Sequence, residues 1–136
     1  MSSRNAEVVR RFLELGLEHR DLDGAIQLIH PNAEFDWSNS LAPYRGVYRG
    51  QAEVMQAVRT QSEAWDEWST SITEAIDVDP ETVVIVTHVR ARGKGSGVTV
   101  DAGGASVWQV RDGKISSAKL FQSKSEALAA ISPRSI

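Results

Sequence analysis

The sequence predicts an α+β domain in which helices, most of them near the N-terminus, pack against a long, curved antiparallel sheet. Three observations carry this expectation. Apolar residues recur at helical spacing in segments up to about residue 66. From residue 68 the period changes to two, through four successive stretches. Those stretches are joined by short turns with no crossover helix, which makes them an antiparallel meander.

The elements follow in order. Residues 4–19 form an amphipathic helix, with Val8, Val9, Phe12, Leu13, Leu15 and Leu17 as its apolar stripe. Glu7 with Arg11 and Arg10 with Glu14 make i,i+4 pairs on its solvated face. Asp21 caps a second, short helix that buries Leu22, Ala25, Ile26 and Ile29 and ends at His30-Pro31. Residues 33–37 alternate as a strand, 38–49 read as a loop, and 51–66 form a third helix with Val54, Met55, Val58, Ser62 and Trp65 on one face. Strands are expected at 69–77, 82–92, 97–110 and 114–122. Asp112-Gly113 suits the positive φ angles of a tight hairpin. Ser123 and Glu126 match a capping box that opens a last helix at 124–131. Strands long enough to cover three helices must curl, and the curl leaves a cone with an open mouth.

A chain of 136 residues fits one domain spanning 1–136 and can bury a core without staples. There is no cysteine, which excludes disulfides, thiolate metal sites and cysteine nucleophiles. With 15 basic and 18 acidic residues the net charge is −3, which argues against a nucleic-acid surface. No apolar run suggests a membrane span and the N-terminus lacks a signal-peptide core, so a cytoplasmic location is expected. Gly93 to Gly97 is glycine-rich, but a strand follows where a phosphate loop needs a helix. No His/Asp/Glu cluster has metal-ligand spacing, and neither metal nor other cofactor is expected.

The stretch Asp21–Trp37 (DLDGAIQLIHPNAEFDW) resembles the second helix and first strand of the nuclear-transport-factor-2-like superfamily. Tyr48-Arg49-Gly50, Gly95-Ser96-Gly97, Asp112-Gly113-Lys114-Ile115 and Glu126-Ala127-Leu128 fit it in order and spacing, and the chain looks most like its SnoaL-like members. The resemblance implies a cone-shaped α+β barrel with the N-terminal helices on the concave face of its sheet. It further implies an apolar pocket at the wide end and a homodimer through the sheet's outer face. Relatives include isomerases, dehydratases, epoxide hydrolases, cyclases and plain binding modules, so the fold leaves the chemistry open. Where ketosteroid isomerases carry a tyrosine donor, a carboxylate base and an aspartate donor, this chain aligns Leu13, Trp37 and Ser106, and that activity is not expected. Arg90, Arg92 and Asp101 do not match the spacing of a limonene-type epoxide hydrolase.

Two side chains remain as candidates for moving a proton. His88 lies mid-strand, sharing a face with Val84, Val86, Arg90 and Arg92. That face, Arg90 included, either lines the pocket or forms the sheet's outside. Asp36 alternates with Phe35 and Trp37, and only one of the two parities faces inward. His19 and His30 read as structural, each near a helix end. The candidate ligand contacts are aromatic and polar: Trp37, Trp65, Trp68 and Trp108, with Tyr44 and Tyr48 in the loop over the mouth. Ser106 shares a strand face with Trp108, and Gln122 joins them from the last strand. Two functions follow. One is a cofactor-independent isomerase, dehydratase or cyclase acting by proton transfer. The other is a non-catalytic binding or accessory domain that holds a small apolar or aromatic molecule, with a purely dimeric scaffold as a further alternative.

Overall fold

The computed structural model describes residues 4–38 and 46–131. A six-stranded curved sheet, unclosed, carries helices against its concave face. The elements are α1 (Arg4–Leu13), α2 (Leu22–Ile26), β1 (Ile29–Asp36), β2 (Val47–Arg49), α3 (Gln51–Glu63), β3 (Trp65–Asp79), β4 (Thr82–Gly93), β5 (Thr99–Arg111), β6 (Lys114–Phe121) and α4 (Lys124–Ile131). The sheet order is β2-β1-β6-β5-β4-β3. The meander β3 to β6 is antiparallel throughout, as expected, while β1 joins β6 in parallel.

Several boundaries differ from the sequence expectation, each for a local reason. The first helix changes to a π-helical turn over Glu14–Glu18, closed by the His19 amide donating to the Glu14 carbonyl at 2.8 Å. Gly16 sits in this turn, and a Cβ there would meet Val58 Cγ1 at 3.2 Å. The turn and the missing side chain let the tail of α1 press onto α3. Asp21 caps α2 as expected, its Oδ1 accepting from the Gly24 amide at 3.0 Å. The helix stops at Ile26, and β1 then runs through His30-Pro31. Proline has no amide to donate, and the β1–β6 ladder breaks register between Ile29 and Glu34 to pass it. Residues 47–49, expected as loop, pair with Glu34–Asp36 as a short edge strand. β3 starts at Trp65, so the third helix ends three residues before its expected limit.

The long strand β3 shifts register against β4 at three places along its length. Such bulges bend a strand and raise its twist, which curls this edge of the sheet over the helices. Asp112 and Gly113 take φ angles of 54° and 77°, the paired positive values that a two-residue hairpin requires. The core under the curl centres on Phe12, Phe35 and Trp108, whose rings meet edge-on at centroid distances of 5.6 to 6.1 Å. Val9, Ile29, Val54, Val58, Val83, Ile85 and Ile115 fill in around them, all fully buried. The last helix lies on the opposite face of the sheet, where Ala127 packs with Val84 and Ala105. Its start is capped from both sides. Ser123 Oγ accepts from the Glu126 amide, and the Glu126 carboxylate accepts from the Gln122 amide.

Candidate functional site

Strand register decides what faces the concavity. Residues directly opposite across a ladder share a face. The pairs Val83–Trp108, Ile85–Ser106, Thr87–Gly104 and Val89–Ala102 face the helices. The pairs His88–Gly103 and Arg90–Asp101 alternate with them and therefore face outward.

On the concave side lies a cavity of about 330 Å³. Phe12, Leu13 and Leu17 close it from α1 and the π-helical turn, and Val58 and Gln61 from α3. Trp37, just past β1, forms another wall. The sheet contributes Trp65, Trp68 and Thr70 from β3, Thr87 and Val89 from β4, and residues of β5 and β6 that include Ser106, Trp108 and Leu120. Among the described residues the lining holds hydroxyl and amide groups but no carboxylate, imidazole, ammonium or guanidinium.

The polar atoms are arranged in a repeated way. The Trp108 indole N–H donates to Ser106 Oγ at 2.6 Å, and both residues are buried. The Trp68 indole N–H donates to Thr70 Oγ1 at 2.7 Å. Each pair is spaced i,i+2 on one strand, which places both members on one face. Trp65 and Trp68 pack with ring centroids 5.7 Å apart. The Trp65 indole nitrogen is buried without a hydrogen-bond partner among the described residues.

Six of the expected ligand contacts line this cavity: Trp37, Trp65, Trp68, Ser106, Trp108 and Gln122. Tyr48 does not. It stands behind Trp37, edge-on at 5.6 Å, and supports that wall. Tyr44 lies outside the described residues. Arg90 does not line the cavity either, because its strand parity puts it on the convex face, where its Nε lies 3.4 Å from Asp101 Oδ2.

The two proton-transfer candidates are also placed away from the cavity lining. His88 is on the convex face, and its Nε2 bonds the Asp101 carboxylate. Phe35 and Trp37 took the inward parity of β1, which turns Asp36 away. Asp36 Oδ1 accepts from the Ser38 hydroxyl at 2.6 Å and the Ser38 amide at 3.0 Å, and Lys119 stands 3.8 Å from Oδ2. The Ser38 hydroxyl bond, with smaller help from the Ser38 amide and Lys119, holds this carboxyl below its ordinary pKa against the opposing effect of burial. A raised pKa, which would make a carboxylate a stronger base, is the opposite of what this site produces.

Sequence reasoning missed Thr70, Thr87, Val89 and Gln61 as lining residues. Thr70 was legible in one respect, since it repeats with Trp68 the i,i+2 spacing that singled out Ser106 and Trp108. Thr87 and Val89 needed only the parity of β4, which the sequence left open. Among the described residues no group of three or more His, Cys, Asp or Glu side chains could hold a metal. No helix among them is long and apolar enough to cross a membrane.

Comparison with known proteins bears on this architecture. The model of the SnoaL-like domain family matches residues 9–118. No curated protein sequence matches the chain. Among solved structures, an NTF2-like protein of unknown function from Burkholderia pseudomallei superposes with a TM-score of 0.75 at 22% identity, covering 96% of this chain and 99% of that one. A Mycobacterium tuberculosis protein in complex with estradiol-17β-hemisuccinate gives 0.75 at 15% identity over 91% and 97% of the two chains. TerC co-crystallised with polyporic acid gives 0.74 at 19% identity over 91% and 95%. At these identities the likeness is one of fold. With the family model covering most of the length and the same curved sheet in its structural neighbours, this chain belongs to the SnoaL-like domain family.

Proposed function

We propose that this domain binds a small, uncharged, apolar molecule in its concave cavity and does no proton-transfer chemistry there. One observation carries the reading. Every described side chain that lines the cavity is apolar, hydroxylic or an amide, while the His and Asp that could move a proton are on the other side of the sheet or turned away from the cavity. General acid–base catalysis requires a titratable group within hydrogen-bond reach of the reacting atom. A charged ligand would have to give up its hydration with no opposite charge to meet it. The aromatic walls instead suit a flat hydrocarbon skeleton held by a few hydrogen bonds. Two structural neighbours were crystallised with a steroid ester and with polyporic acid, which share the ring skeleton of this reading but each carry an acidic group that the proposed ligand lacks.

The test is titration with estradiol and with its anionic 3-sulfate, followed by tryptophan emission. Estradiol is expected to shift or quench the emission saturably, and the sulfate to bind at least about tenfold more weakly. Absence of a saturable change with estradiol and with a panel of other uncharged fused-ring compounds would overturn the reading.

A further inference from the structure

We infer that the cavity selects a ligand with a hydrogen-bond acceptor, such as a keto oxygen, at each of two ends. This rests on the binding function proposed above and deepens it. A serine or threonine hydroxyl has one proton to donate and two lone pairs to accept with. In both indole–hydroxyl pairs the tryptophan N–H occupies a lone pair: Trp108 on Ser106 Oγ, and Trp68 on Thr70 Oγ1. Neither hydroxyl has an acceptor for its own proton among the described residues. Ser106 is only 4% exposed, so bulk water is poorly placed to supply one. Both residues line the cavity. Each hydroxyl is thus oriented by its indole and has its proton left for whatever fills the space.

The two hydroxyls lie at different depths. Ser106 pairs with Ile85 in the fully buried part of β4, and Thr70 pairs with Val89, four residues further along the same strand. Four residues of strand span about 13 Å, and β3 and β5 are two strand spacings, about 10 Å, apart. The inward curl of the sheet draws the side chains closer than these backbone offsets. A rigid skeleton of three or four fused rings, with acceptors on the order of 10 Å apart, therefore reaches both. A ligand hydroxyl could also accept from Ser106 or Thr70. It would then bring a proton of its own into the cavity, and an unpaired buried donor is penalised. A carbonyl brings none. The site should prefer the dione to the diol on the same skeleton.

The experiment compares 5α-androstane-3,17-dione with 5α-androstane-3β,17β-diol, by tryptophan emission and thermal shift, on the wild-type chain and on Thr70→Val and Ser106→Ala. The dione should bind about tenfold more tightly, one unpaired buried donor's worth. Thr70→Val, which keeps the side-chain shape, should weaken dione binding severalfold, because that carbonyl loses its donor. Ser106→Ala should do the same. Each change strands an indole N–H, but Trp108 is buried whereas Trp68 is only half-buried, so Thr70→Val alone decides the matter if Ser106→Ala fails to fold. Equal affinity for the two compounds, or dione affinity unmoved by Thr70→Val, would overturn this inference and leave the binding function standing. Failure of both compounds to bind would overturn both.

Discussion

The two faces of β4 are built from alternate residues of one strand and have opposite chemistry. Toward the helices stand Val83, Ile85, Thr87 and Val89, which with their β5 partners form a core and an uncharged aromatic cavity. Away from them stand His88, Arg90 and Arg92, each paired with a carboxylate: the first two share Asp101, and the third meets Glu67 at 2.9 Å. The difference is that charge here has been kept on the side where water and counter-charges are available. The side that could hold a ligand has hydroxyls whose orientation is set by indoles. A strand with chemically reactive residues in its sequence can therefore border a cavity that none of them enters.

Substitutions can break or sharpen this contrast. The largest effect is expected on the concave side. Ile85→Ala removes a fully buried side chain between the core and the cavity, and should destabilise the fold by about 2–5 kcal/mol, read from the urea midpoint. A loss below about 1 kcal/mol would mean that the concave face is far more loosely packed than its burial indicates.

A smaller effect is expected at Asp36, where the chain leaves the concave wall at Trp37. Ser38→Ala removes the hydroxyl that Asp36 accepts from, and should cost about 1 kcal/mol at neutral pH. The folded-state pKa of Asp36 lies below its unfolded value. Its contribution is therefore fully present above the ordinary aspartate pKa and is lost as pH falls through the depressed one. Urea melts of wild type and variant between pH 7 and pH 2 should converge at the acid end. A gap independent of pH would show that Asp36 is not the partner that matters.

The smallest effect is expected on the convex face. His88→Ala removes one member of a hydrogen-bonded pair whose side chains are 44% and 57% exposed, and solvent competes strongly with such pairs. Stability should change by less than about 1 kcal/mol, and estradiol titration should be unaltered. A large fall in ligand affinity from this one change would reverse the assignment of faces.

Much of the scaffold was legible in the chain. The meander from residue 82 onward follows from alternation and from Asp112-Gly113, and α2 and α4 follow from the caps at Asp21 and Ser123. The edge strand Val47–Arg49 was not legible, because three residues are too few to show a period and their pairing depends on where β1 lies. The π-helical turn was hidden for a related reason. It lies where Gly16 fits against Val58, a contact between segments far apart in sequence. In the site, the tryptophans and the Ser106–Trp108 pairing could be read from residue type and spacing. The fate of His88, Arg90 and Asp36 could not.

By itself, then, the sequence determined the element order apart from the edge strand Val47–Arg49, the curled antiparallel meander and an aromatic wall, because these depend on local periodicity, turn chemistry and side-chain size. Only the tertiary structure decided which parity of β1 and β4 faces the helices. Both parities of β4 are apolar enough near Val83–Val86 to be buried, and Phe35 and Trp37 outweigh Asp36 only once the edge-on cluster with Phe12 and Trp108 exists to receive Phe35. A period of two marks two faces and does not say which is inside. That choice is made by the packing partner, and here it separates an uncharged cavity from the charged residues on the same strand.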